Sequence, residues 1–246
     1  TTEIYTLSLH DALPIWCGSL NKEKPAVLDK NGKIRDISSH INDLNPKNIS
    51  FTNLEKLKKI NLESLPEIPS SERIGSCIAN PGKFVAIGLN YSDHAAETGA
   101  KIPTEPIVFM KATSCIVGPN DDVVIPKNSK KTDWEVEIAF VVGKETKYIK
   151  EEDAQDHIFG YCLVNDVSER EFQIEKLGQW VKGKSADTFG PIGPYLVTKD
   201  EIPDVQNLNL SLEVNGKRMQ TGNTNNMIFN INRSEERRVG KECRSR

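Results

Sequence analysis

Thiols and imidazoles are scarce in this chain. Its five cysteines, Cys17, Cys77, Cys115, Cys162 and Cys243, are scattered, odd in number and never arranged as C-x-x-C. That excludes a zinc ribbon and a disulfide framework, and reads as the reduced thiols of a cytoplasmic enzyme. Only four histidines are present, which argues against a His-rich metal centre. No apolar run approaches the ~20 residues of a membrane-spanning helix, and no charged-apolar-small signal pattern opens the chain. An excess of one charge is missing too: the net charge is −3, so the overall balance implies no nucleic-acid partner. What remains, 246 residues with 37% hydrophobic and 27% charged, suits one large domain, alone or with a small appendage.

The most informative stretch is 133–142, DWEVEIAFVV. β-branched and aromatic residues without internal Gly or Pro predict a strand, ended by Gly143. Trp134, Val136, Ile138, Phe140 and Val142 then share one wholly apolar face. The opposite face opens with Glu135 and Glu137, about 7 Å apart at Cα by strand rise. Two carboxylates on one face repel unless something positive lies between them. A hard divalent cation, Mg²⁺ or Mn²⁺, satisfies both and keeps waters for a substrate to displace. The plain alternative is an edge strand with solvated glutamates.

Elsewhere the chain alternates short strands, turns and short helices. Residues 25–37 predict a hairpin turning at Asn31-Gly32 in type I′ geometry. Thr52 to Glu55 has the form of a capping box. After the buried-type strand 84–88, a short helix over Asp93–Thr98, capped by Ser92 and ended by Gly99, sets His94 and Glu97 at i and i+3 on one face. A carboxylate beside an imidazole orients it and raises its pKa, the pairing of a water-activating base; a surface His–Glu pair is the alternative. Strand 158–164 ends at Asn165-Asp166, where Asp166 is placed as a third ligand, or else as the first residue of a helix over Glu169–Leu177. The loop 182–191 carries two lysines without phosphate-loop spacing. Leu208, Leu210, Leu212 and Val214 alternate with polar residues before Asn215-Gly216 turns the chain. Strands outnumber helices, so the class is α+β and β-rich.

Taken together and in order, these pieces resemble the fumarylacetoacetate hydrolase family across residues 20–230. The residues that carry the resemblance are Ile87-Gly88-Leu89-Asn90-Tyr91 with His94 and Glu97; Phe109-Met110-Lys111 with Ile116-Val117-Gly118-Pro119; Trp134-Glu135-Val136-Glu137; Asn165-Asp166-Val167-Ser168-Glu169-Arg170; Lys184 with Asp187 to Pro191; and Gly222-Asn223-Thr224 with Met227-Ile228-Phe229. The resemblance implies a mixed β-sheet roll around a metal site, a small N-terminal α+β unit, and a homodimer at full length. It implies that Glu135, Glu137 and Asp166 hold Mg²⁺ or Mn²⁺. His94 and Glu97 would form the water-activating pair on a lid, and Lys184 would face the oxygen on which charge builds. Asn226 stands where many relatives carry Asp.

Residues 1–16 and 233–246 resemble translated sequencing-adapter sequence and are expected to pack outside the fold. Between them lie a small N-terminal unit, 17–70, and the catalytic region, 71–232, with its barrel incomplete. The implied chemistry is hydrolysis of a C–C bond in a 2,4-diketo-type acid, giving an oxo-acid such as pyruvate and a carboxylic acid, with no membrane or nucleic-acid partner. Ureidoglycolate lyase, decarboxylase or isomerase activity on the same metal site is the alternative. A non-catalytic, metal-dependent ligand-binding protein is the alternative of another class.

Overall fold

Short apolar segments separated by turn residues give short strands, and the strands assemble as small open sheets. The computed structural model describes residues 13–234. Strands β1 (Leu13–Cys17), β2 (Lys24–Leu28), β3 (Ile34–Asp36) and β4 (Glu67–Ile68) lie in that order, each antiparallel to the next. The β2–β3 hairpin is where the sequence places it, but its turn is not type I′. Gly32 alone takes a left-handed φ, 74°. Asp29 Oδ1 accepts from the N–H groups of Asn31 and Lys33, both at 2.9 Å. The aspartate thereby closes a type I turn with glycine at the left-handed position. The capping box gives way similarly: α1 (Phe51–Leu57) is capped by Ser50, whose hydroxyl accepts from Asn53 N–H at 3.3 Å.

Residues 13–16 correct an expectation. Assigned outside the fold with the rest of 1–16, they form most of β1, and Ile15 is wholly buried against Ala26 and Ile34 with Tyr195 beside them. Ile15 and Cys17 share the inward face by strand alternation. At the other end, within 233–246, Ser234 is buried. Residues 1–12 and 235–246 lie outside the described residues.

The larger part of the chain runs β5 (Phe84–Gly88), α2 (Ser92–Thr98), β6 (Ile107–Lys111), β7 (Ile116–Val117), β8 (Thr132–Asp133), β9 (Val136–Val142), β10 (Ile158–Asn165), β11 (Ser168–Glu169), α3 (Val181–Lys184), β12 (Gly190–Thr198), β13 (Asn209–Val214) and β14 (Lys217–Asn223). Its main sheet has the order β7-β12-β10-β9, parallel only between β7 and β12. Two-stranded pairs β5–β6, β8–β11 and β13–β14 surround it. Asn215 and Gly216 both take left-handed φ, 52° and 77°, so the β13–β14 turn has the type I′ form that β2–β3 lacks. The fold is thus mixed α+β and β-rich, with open sheets and no closed barrel among the described residues. No helix among them is long and apolar enough to cross a membrane.

Two predicted elements are shorter than expected. The strand over 133–142 breaks at Trp134-Glu135, because side chains take over the ladder: Glu135 N–H donates to Asn165 Oδ1 at 3.1 Å and Val136 N–H to Gln220 Oε1 at 2.8 Å. Its apolar face survives the break, with Trp134 and Val136 in one core cluster and Ile138 and Phe140 in the next. The helix over Glu169–Leu177 shrinks to a turn at Glu171–Glu175, since Ser168–Glu169 pair with β8 as β11.

The first sheet is keyed to the rest by Arg73, which donates to both oxygens of Asp121 at 2.7 and 2.5 Å and to Glu23 at 2.7 Å. If β1 belongs to this core, Ile15→Ala should cost roughly 2–5 kcal/mol of unfolding free energy in urea titration. Leu20→Ala, at a site 64% exposed, should stay within about 0.5 kcal/mol. Equal effects at the two positions would exclude β1 from the core.

Candidate functional site

Register decides where the acidic residues meet. β9 and β10 pair Val136 with Asn165 and Glu137 with Val164. One step beyond the regular ladder, Asp166 N–H donates to the Glu135 carbonyl at 2.8 Å, so the two residues face each other where the strands end. The Lys184 ammonium, carried by α3, hydrogen-bonds Glu135 Oε2 and, at 2.7 Å, Asp166 Oδ2. Arg170 closes the other side: Nη2 donates to Glu135 Oε1 at 2.6 Å and to Asp133 Oδ2 at 2.7 Å. The Lys111 ammonium, 1% exposed, lies 2.6 Å from Asp166 Oδ1 and donates to the carbonyls of Lys184 at 2.5 Å and Val167 at 3.3 Å.

Burial and neighbouring charge act together on two carboxyls of this cluster, Glu137 and Asp166. Three carboxylates (Asp133, Glu135, Asp166) pair with three cations (Lys111, Arg170, Lys184), and Glu137 is a fourth carboxylate beside them. Burial pushes the Asp166 carboxyl up, but Lys184 and Lys111 outweigh it and hold it below the usual carboxylate range. Glu137 is the surplus anion. Burial first, then Glu135 and Asp166, push its carboxyl from 4.5 to about 8, with Lys184 opposing. Among the described residues its carboxyl has no hydrogen-bond partner, so nothing offsets the cost of burying it charged except Lys184.

Does this donor set fit a metal? Among the described residues, no three carboxylate, imidazole or thiol side chains stand in metal-ligating geometry, because Glu135 and Asp166 are turned onto their basic partners. The chemistry of the set nevertheless fits a hard divalent cation. It offers only oxygens, from neighbouring strand ends, and the Glu137 carboxyl among them has no hydrogen-bond partner among the described residues.

His94 and Glu97 are placed differently. Both are exposed on α2, at the rim of the same cavity of about 1170 Å³ that Glu135, Glu137, Asp166 and Lys184 line. No hydrogen bond or ion pair joins them to each other among the described residues. The start of α2 is tied to the 226–229 segment: Asn226 Nδ2 donates to Asp93 Oδ2 at 2.9 Å, and Asn90 exchanges hydrogen bonds with Phe229 at 2.9 and 2.8 Å. An aspartate at 226 would face Asp93 as a like charge, which accounts for the amide there. The structure therefore gathers Glu135, Asp166 and Lys184, sets Glu137 beside them, and leaves His94 and Glu97 at the cavity mouth.

Sequence reasoning assigned no role to Lys111, Asp133 or Arg170. Lys111 ends an otherwise apolar strand, Ile107–Lys111, the same signal that singled out Asp166 after β10. Arg170 stands four residues beyond Asp166 and gave no separable signal. Gln220, whose amide exchanges hydrogen bonds with the backbone of Val136 at 2.8 and 3.1 Å, was not legible at all, because it comes from a distant hairpin.

Comparison with known proteins bears on this arrangement. Residues 83–234 match the profile of the fumarylacetoacetate (FAA) hydrolase C-terminal family. A provisionally named hydrolase of Burkholderia ambifaria is 55% identical over 214 residues, 87% of this chain and 76% of its own. Fumarylacetoacetate hydrolase from psychrophilic Exiguobacterium antarcticum superposes with a TM-score of 0.80 at 26% identity, over 94% of this chain and 82% of that one. 2-Hydroxyhepta-2,4-diene-1,7-dioate isomerase from Mycobacterium marinum does so with a TM-score of 0.72 at 28% identity, over 94% and 82%. Since the matched stretch holds all the acidic and basic residues gathered at the strand ends, together with α2, the chain belongs to the fumarylacetoacetate hydrolase family.

Proposed function

We propose that this protein is a hydrolase that cleaves a C–C bond of a 2,4-diketo-type acid, releasing an oxo-acid such as pyruvate and a carboxylic acid. The observation that carries the reading is the buried Lys184 ammonium at the floor of a cavity whose mouth holds His94 and Glu97. Glu135, Glu137 and Asp166 would hold Mg²⁺ or Mn²⁺, which supplies electrophilic polarisation of the oxo-acid when bound. Lys184 and Arg170 set positive charge where a carboxylate or a developing oxyanion is bound, and the burial of Lys184 makes its charge count for more than it would in water. His94 is the candidate base for the attacking water, with Glu97 one helical turn away on the same helix. The water oxygen then bonds to the distal carbonyl carbon. The C–C bond beside it breaks, and its electron pair stays with the oxo-acid fragment, which is protonated to product.

An isomerase reading of the same residues is favoured by the likeness to an isomerase fold. Proton transfer between carbons would then need a base but no attacking water. A turnover screen of short 2,4-diketo acids with Mg²⁺, read by NMR in H₂¹⁸O, separates the two. Hydrolysis puts ¹⁸O into the released carboxylic acid, whereas isomerisation leaves the carbon count unchanged and would sink the hydrolase reading. His94→Ala should lower kcat by roughly 10²–10⁴ while metal affinity, measured by calorimetry, stays near wild type. Turnover at the wild-type rate would remove His94 from the mechanism.

Glu137 gives a separate test. A carboxyl raised in the folded state keeps a proton that the unfolded chain has lost, so its contribution to stability is present at low pH and disappears as pH rises through about 8. In chelator, the thermal midpoint should fall between about pH 5 and 8, and Glu137→Gln should flatten that fall. Added Mg²⁺ should reverse it in the wild type alone, by replacing the proton with a cation.

A further inference from the structure

Lys184 sits on an element that cannot hold itself in place. α3 is a single turn, Val181–Lys184, and an isolated turn of helix is unstable. Lys184 N–H donates to the Trp180 carbonyl at 3.2 Å, so Trp180 stands one turn earlier on the same side of the chain. Its indole fills a gap in β5. A Cβ added to Gly88 would stand 3.0 Å from Trp180 Cη2, closer still to Cζ3, and 3.2 Å from Phe109 Cε1. Gly88 does not have a positive φ, so the backbone there does not ask for glycine. What is used is the missing side chain.

Phe109 completes the arrangement from β6. Its ring meets the Trp180 ring edge to face, with centroids 5.2 Å apart and planes at 68°. The Lys184 ammonium stands 5.4 Å from the centre of the same phenyl ring. A cation within about 6 Å of a ring face is attracted by the ring quadrupole. The ammonium is therefore held by Glu135, by Asp166 and by Phe109, and the indole wedged at Gly88 fixes the turn that delivers it.

We propose that Trp180, keyed into the gap at Gly88, is the positioning residue that sets Lys184 between Glu135 and Asp166, and that this contact is why position 88 is glycine. The proposal rests on the role given to Lys184 above, and it goes further by naming what aligns that lysine. Adding one methyl group at Gly88 forces the indole out of its slot. The movement passes along one helical turn to the ammonium, and a misplacement of about 1 Å at a reacting group can cost a hundredfold in rate.

Three variants test this: Gly88→Ala, Trp180→Phe, and the two together. Two readouts are taken on each, kcat and KM for a diketo acid with Mg²⁺, and acetylation of Lys184 relative to exposed Lys182 in the substrate-free protein, by peptide mass spectrometry. Gly88→Ala should lower kcat by about ten- to a hundredfold with KM little changed, and raise the Lys184 labelling ratio several-fold. The double variant, whose smaller ring makes room for the methyl, should recover much of both. Circular dichroism melting certifies that each protein is folded at the assay temperature. Unchanged labelling and kcat in Gly88→Ala would overturn the proposal, as would a loss that the double variant fails to recover. If wild-type protein turns over no diketo acid but the labelling follows the expected order, the positioning stands and the hydrolase reading falls.

Discussion

The salt bridges from Lys184 to Glu135 and Asp166 tie a one-turn helix to the end of the β9–β10 strand pair. Glu135 lies in the break before β9, Asp166 just past β10, and Lys184 at the end of a one-turn helix. Burying three charges is costly, and a buried ion pair that loses one partner is destabilised by ~3–5 kcal/mol. The cost is contained here because each charge has more than one partner. Lys111 backs Asp166, Arg170 backs Glu135, and Asp133 backs Arg170 in turn. The cluster thus works as a clasp that fixes the ends of the main sheet and concentrates charge at the cavity floor.

The clasp also sets a limit on reactivity. Its lysines and arginine engage oxygens of Glu135, Asp166 and Asp133, while burial and the neighbouring carboxylates raise the Glu137 carboxyl. The family membership places this arrangement among hydrolases and isomerases built on one fold. Within such a group, function is decided by which groups meet at the cavity rather than by the sheet that carries them.

Around the clasp, packing is divided among several modest clusters instead of one large core. The first sheet leans on Tyr195 of β12 through Ile15 and is fastened by Arg73 to Asp121 and Glu23. The cluster that holds Cys77, Cys162 and Leu196 is built on β10 and β12, where the two free thiols serve as small apolar fillers. The start of α2 is tethered to Asn226 and Phe229 by hydrogen bonds rather than by deep burial, and it carries its two candidate catalytic residues in solvent.

The sequence by itself determined the local matters. Alternation in 136–142 made a strand with one apolar face, Gly99 ended α2, Asn215-Gly216 turned a hairpin, and an acid after the apolar run 158–164 marked Asp166. These follow from properties of a few neighbouring residues: side-chain period, left-handed φ, and the cost of leaving a charge in apolar surroundings. What only the tertiary structure decided depends on groups far apart in the chain. Asn165 and Gln220 break the strand at Glu135, the β9–β10 register sets Glu135 opposite Asp166, Lys111 comes from β6 to share that carboxylate, and Ile15 finds its core in Tyr195. A buried charge or strand end is satisfied by whichever partner arrives in space, and no window of sequence shows which partner that is.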